Sequence, residues 1–229
     1  MLATFVIEAT LAIYVGLRYS SGIFRALVCT LLICLGSFQL AEYCVCVGPA
    51  ESALSWGKLG LAGITLLPAL GMHLISSVTR KSHLVAVGYS IASAYILLFM
   101  LAPGATGIPE CGGNYVILKI GGGIFGILYE AYYFVFVVLA ILELALRLTQ
   151  ATPSLGYGFS KKLIALTLTG YLTFTVPMAV IGTFSPDLRK ATPSIMCGFA
   201  LGLAIILAVF VAPLYAHESL AMKKPASPV

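Results

Sequence analysis

Three glutamates stand in stretches that are otherwise apolar: Glu8 in ATFVIEATLAIYV, Glu42 in FQLAEYCVCV and Glu130 in ILYEAYYFVFVV. An ionisable group at membrane depth is costly, and it normally faces a bundle interior where it finds a partner or water. On the segments set out below, Glu42 and Glu130 each fall about six residues from mid-segment, roughly 9 Å outside the midplane at 1.5 Å per residue. Glu8 is nearer the centre on the same outer side, and Gln39 shares the face of Glu42 at i−3. Tyr129, Tyr132, Tyr133, Phe134 and Phe136 surround Glu130. Together these residues predict an outward-facing pocket for a small apolar, cationic or lipidic ligand, with Glu8, Gln39, Glu42, Glu130 and Tyr133 as its binding residues. Two other readings stand beside it. The carboxyls can be independent groups hydrogen-bonded to neighbouring helices, with the aromatics as packing or an interfacial belt. They can also relay protons, as in transporters, although no basic residue sits at their depth.

The remaining acids need no function. Glu51, Glu110, Asp187 and Glu218 fall in connections or the tail, and Glu143 precedes Arg147 by four residues, the favourable order for a helical ion pair. Of the 6 cysteines, Cys29 and Cys34 fall in the inner half of the second segment as small core residues. Cys44, Cys46, Cys111 and Cys197 all map to the outer rim, where an oxidising exterior permits a disulfide. Cys111 lies in the Gly-rich loop PECGGN, and a bond to Cys44 or Cys46 would tether that loop across the pocket mouth. The CVC spacing also suits a soft metal such as copper(I), but no histidine is near it, and no metal site is predicted.

The 3 histidines do not supply a haem, because His73 has no mate at its depth while His83 and His217 lie near the inner boundaries. A retinal chromophore needs a lysine in the seventh helix for its Schiff base, and PSIMCGFALGLAIILAVFVAPLYA has none. No GxSxG or HExxH constellation occurs, and GGGIFG, though it matches GxGxxG, has no strand before it. The expectation is a protein without cofactor that is not an enzyme.

The elements that must hold these residues follow from apolar length. The 229 residues are 60% hydrophobic and 9% charged, with a mean hydropathy of +1.05, where a soluble domain is about 25% charged. A bilayer crossing takes roughly 20 apolar residues. Seven segments are expected at 3–18, 24–47, 59–79, 83–103, 121–147, 162–184 and 192–216, as one domain over 1–217 with a short tail at 218–229. Of the 13 basic residues, Arg18, Arg25, Arg80, Lys81, Arg147, Lys161, Lys162, Lys223 and Lys224 fall in odd-numbered connections or the tail, against Lys58, Lys119, Arg189 and Lys190 in even-numbered ones. That alternation places the first connection in the cytoplasm, the N-terminus outside and the C-terminus in the cytoplasm. The formal charge of +5 is thus a topology signal in a lipid bilayer and not a nucleic-acid surface. The start, MLATFVIEAT, lacks a basic n-region, so a retained helix is expected and not a cleaved signal. Pro68 and Pro177 predict kinks, and the GxxxG pairs Gly122/Gly126 and Gly198/Gly202 predict close helix approach in the fifth and seventh segments.

The run GSFQLAEYCVCVGPAESALSWGKLGLAGITLLPALGMHLI resembles the seven-helix sensor region at the N-terminus of some bacterial histidine kinases. It shares an acidic residue at the outer end of the second helix, Trp56 ahead of a basic residue, and a third helix containing Pro68. KKLIALTLTGYLTFTVPMAVIGTF with the following Ala191, Thr192, Pro193 and Ser194 is similar to that region's sixth and seventh helices. The resemblance spans most of the chain. It implies a sensory bundle in a bacterial plasma membrane that signals to a cytoplasmic output domain. Only HESLAMKKPASPV follows the seventh helix, so the expected output passes through a separate membrane or cytoplasmic protein partner. A non-catalytic accessory subunit of a larger membrane complex is the alternative, and a small transporter the third.

Overall fold

The computed structural model describes residues 1–19, 22–79, 84–112, 115–121, 123–150, 160–184 and 191–223. Of the residues singled out above, Arg80, Lys81, His83, Gly122, Asp187, Arg189, Lys190 and Lys224 lie outside the described residues. The fold is all-α apart from one small hairpin. The helices are α1 (Leu2–Arg18), α2 (Ile23–Val47), α3 (Ala53–Thr79), α4 (Val85–Leu101), α5 (Ile124–Gln150), α6 (Lys161–Phe184), α7 (Thr192–Ile205) and α8 (Ala212–Lys223). A 3-10 turn, Ala50–Ser52, leads into α3, and a π-helical stretch, Ile206–Val211, joins α7 to α8. Five helical stretches are long and apolar enough to cross a membrane: Ile23–Val47, Ala50–Thr79, Ile124–Thr149, Lys161–Phe184 and Thr192–Ala221; α4 is a shorter apolar helix.

Two boundaries differ from the sequence expectation. The third helix begins at Ala53 and not at 59, because the turn Ala50–Ser52 leads directly into it and its first turns, with Ala53 and Gly57 buried, pack beneath Pro109. The seventh continues past 216 to Lys223, through residues assigned above to the tail. Its π stretch has a local cause. Pro213 lacks an amide hydrogen and its ring crowds the carbonyl four residues earlier. One turn ahead the ladder widens, with the Ala212 amide bonding Leu207 five residues back.

Contacts between helix ends divide the bundle into two poles. At one, Lys58 donates to the Met100 carbonyl, joining the start of α3 to the end of α4. At the other, Arg147 bonds Glu143 at 3.1 Å and the Thr79 carbonyl at 3.3 Å, Arg25 caps the Gly16 and Tyr19 carbonyls, and Phe24 stacks on Tyr215 at 3.9 Å. Successive helices therefore run antiparallel.

Small residues set a tight contact between α2 and α3. A methyl group added at Gly63 would stand 2.8 Å from Ser37 Oγ and 3.2 Å from the Cys34 carbonyl oxygen; one at Gly60 would meet Ala41 and Phe38 at 3.2 Å. These glycines, three apart, bring the backbones together as small residues do in membrane helices. The GxxxG pairs act differently from expectation. Gly202 packs on Thr173 of α6, but a methyl at Gly198 would meet nothing within 4 Å, and one at Gly126 meets only the Gly121 carbonyl of its own entry loop.

Pro68 sits buried within α3, where it removes one amide from the ladder. The Tyr132 hydroxyl of α5 donates to the Thr65 carbonyl at 2.9 Å, and the Tyr129 hydroxyl meets Thr65 Oγ1 at 3.0 Å. Two tyrosines of α5 thus bond to Thr65 of α3, next to Ile64, whose carbonyl is the one that Pro68 leaves without its ladder amide. Burial is uneven elsewhere: within their most apolar windows α3 is 61% buried, α5 only 28% and α6 33%. The outward sides of α5 and α6 are mostly apolar and are not covered by any described residue.

Candidate functional site

The fourth connection builds the roof of the first pole. Strands β1 (Glu110–Cys111) and β2 (Val116–Ile117) pair antiparallel, with Glu110 opposite Ile117 and Cys111 opposite Val116. The hairpin is extended by the Gly107 amide on the Lys119 carbonyl at 2.7 Å and by an ion pair between Lys119 and Glu110. Three anchors hold it down. Cys46 at the end of α2 is disulfide-bonded to Cys111, with Cα atoms 5.4 Å apart. The Val116 amide donates to Ser194 Oγ at the start of α7 at 3.2 Å. Pro109 lies against Gly57 of α3.

Of the two pairings open in the sequence, then, Cys46 is the partner and Cys44 is a free, half-buried thiol. Cys197, expected at the rim, is instead free and buried on the inner face of α7. It lies on the second turn of that helix, where a helical residue faces inward or outward by its angle and not by its nearness to the end.

Beneath the roof sits a polar locus made by α1, α2 and α7. Glu8 has no exposed surface, and Gln39 and Glu42 are each 2% exposed. The Glu42 carboxyl faces the Ser194 hydroxyl and the Val116 amide, while its Oε1 has no hydrogen-bond partner. Neither oxygen of Glu8 has a partner. Glu8 lies against Gly36 of α2, where an added methyl would stand 3.7 Å from Glu8 Cβ and 3.8 Å from its Oε2, within ordinary contact. The two carboxyls act on one another electrostatically, both act on the Cys197 thiol, and the Met1 amino group acts on both carboxyls. Two acids, three of whose oxygens have no hydrogen-bond partner among the described residues, form a buried polar site with unused hydrogen-bonding capacity. Its chemical complement is a group that hydrogen-bonds to carboxyls, a cationic donor among them.

The remaining expected residues do not join this locus. Glu130 is exposed on α5, with no hydrogen bond or ion pair to any described residue. Its backbone periodicity explains the separation, since Tyr129 and Tyr132 take the inward positions toward Thr65 and leave Glu130 turned away. Tyr133 faces a different space, an apolar crevice of about 40 Å³ lined by Leu35, Pro68, Tyr171, Phe174 and Cys197 among others. That holds a few waters at most, against the roughly 300 Å³ of an ordinary ligand pocket. A larger open groove of about 280 Å³ lies between the end of α4 and the start of α5, walled by Tyr95, Phe99, Pro103 and Phe125. It contains none of the residues expected to bind a ligand. The single pocket uniting all five residues is therefore corrected to a buried pair, Glu8 and Glu42, with Gln39 also buried on α2 and with Tyr133 and Glu130 elsewhere.

Ser194 and the Val116 amide are the site members that the sequence reading missed. Neither carries a sequence signal, because each reaches Glu42 only through the placement of the hairpin over α7. His73 bonds Tyr89 through Nδ1 at 3.1 Å, so it is a structural link from α3 to α4. Among the described residues no group of three or more His, Cys, Asp or Glu side chains is arranged to hold a metal ion. No protein-family model matches the chain, and no curated protein matches it.

Proposed function

We propose that the chain is a seven-span membrane bundle, N-terminus outside and C-terminus in the cytoplasm, that binds a small organic cation between Glu8 and Glu42 and acts as a sensor through a separate protein partner. Seven crossings require α1 and α4, each 17 residues or about 25 Å long, to span with the five longer helices. Their placement alongside α2 and α3, and the excess of basic residues at the second pole, support that reading.

The observation that carries the proposal is Glu8. A membrane bundle that keeps a wholly buried carboxyl, with both oxygens unpartnered and a second acid beside it, bears a standing cost. A protonated amine repays it by donating to both carboxyls at once. The disulfide at the roof fits an outer, oxidising face.

Titration of the purified protein with simple alkylammonium ions, read as a ligand-dependent rise in melting temperature, tests the assignment. Wild type should be stabilised in a concentration-dependent manner, and Glu8→Gln and Glu42→Gln should each lose the response. Unaltered stabilisation in both variants would overturn it. The accessory-subunit reading is favoured by a different observation, the exposed Glu130 on a thinly buried helix.

A further inference from the structure

Helix α5 presents to its surroundings an acid that no described residue partners. Glu130 is exposed and forms no pair with any described residue, in a helix whose exposed positions are otherwise Ile124, Ile127, Leu128, Phe134, Val135 and Val138. Its depth follows from geometry. The apolar span runs Ile124–Thr149, 26 residues or about 39 Å, so Glu130 lies about 10 Å from its middle. A hydrocarbon core of about 30 Å reaches roughly 15 Å from the middle, which puts the Cα of Glu130 some 5 Å inside it. Ionisable groups there face a bundle interior or pair with one another, and this one faces out.

One turn before it, Gly126 is half-buried beneath the Gly121 carbonyl of its own entry loop, and one turn after it Phe134 offers an aromatic wall, 42% exposed. An acid and an aromatic at i and i+4 form a short docking stripe: a charge to be met and a surface to be covered. A second copy of this chain is the wrong occupant for a two-fold contact about this stripe, because it would set Glu130 against Glu130.

Resting on the membrane reading above, we propose that the Glu130–Phe134 stripe of α5 docks a membrane helix of a different protein, one that presents a lysine, arginine or histidine at the depth of Glu130. The acid sets the partner's register, and the aromatic ring supplies the apolar contact beside it. This names the chemistry of the partner through which the bundle acts.

A photo-reactive benzoylphenylalanine placed singly at Ile127 or Phe134, in the full chain in its native membrane, tests the proposal, with Leu97 on α4 as an equally exposed control. The expected result is an adduct from 127 and 134, absent from 97, whose cross-linked peptide is an apolar segment of another protein with a basic side chain within about one turn of the link. Its yield should fall at least tenfold in Glu130→Gln. Adducts to lipid alone, to residues 185–190 of this chain, or to a second copy overturn the proposal, as does a yield indifferent to Glu130→Gln. Alkaline carbonate extraction of the same membranes separates the two levels. Release of the chain refutes the membrane reading itself, whereas retention with lipid adducts alone refutes only the docking stripe.

Discussion

Replacing Glu8 by methionine should stabilise the protein, which is the reverse of what truncating a structural hydrogen bond does. Glu8 is wholly buried, both its oxygens lack partners, and its stem packs on Gly36 in space that an unbranched side chain of similar length can fill. A buried polar group without partners costs about 1–3 kcal/mol, and methionine removes that penalty while keeping the packing. For a chain of this size about 2–4 °C accompanies each kcal/mol, so the melting temperature should rise by roughly 2–12 °C. The fluorescence of the single tryptophan, Trp56 at the roofed end of α3, reports the transition without a label. Glu42→Met is the internal comparison. One of its oxygens is unpartnered, but the carboxyl also faces Ser194 and the Val116 amide, so removal orphans groups as well as relieving one. Its change should be smaller than that of Glu8→Met, or destabilising by about 1 kcal/mol. A loss of more than about 1 kcal/mol in Glu8→Met would refute the reasoning, since it would mean that the carboxyl is held by structural bonds and has no need of a ligand. Stabilisation together with loss of alkylammonium binding is the pattern of a group kept for function against stability.

Peptide mapping without reductant should recover Cys46 joined to Cys111 and Cys44 as a free thiol, and a free Cys111 would contradict the roof. The bond closes a loop of sequence separation 65, worth at most about 4 kcal/mol by chain entropy, so Cys111→Ser should cost about 1–4 kcal/mol, with the lower end expected if α3 and α4 remain helical in the unfolded reference. Gly63→Ala should cost about 1–3 kcal/mol, because its new methyl meets Ser37 and the Cys34 carbonyl at 2.8 and 3.2 Å, whereas Gly198→Ala should be neutral or gain up to about 1 kcal/mol from helix propensity. Equal melting temperatures for the two alanine variants would show that the α2–α3 contact is not the tight one.

What was legible in the sequence is what depends on length and solvent. Apolar runs located every helix, and all but two of the boundaries lie within a few residues of expectation, because a chain with 9% charge has few places to turn. The loop cysteine and the end of α2 were legible for the same reason, since depth along a span is a one-dimensional quantity. Angle around a helix is not. On α2 the apolar background offered no stripe to say that Glu42 turns inward, and on α5 tyrosines and phenylalanines cover more than half the circumference, so Glu130 and Tyr133 read as neighbours of one site while the backbone aims them differently. In a soluble helix the polar face would have fixed that angle; in this apolar bundle it is marked by the bonds of Tyr129 and Tyr132 to Thr65 of α3. The same constraint that buries Tyr132 turns Glu130 out. Exposure of that acid is therefore a consequence of how α5 bonds to α3, and under the docking proposal a partner helix that supplies a cation meets an acid which α5 cannot turn inward without breaking the Tyr132 bond.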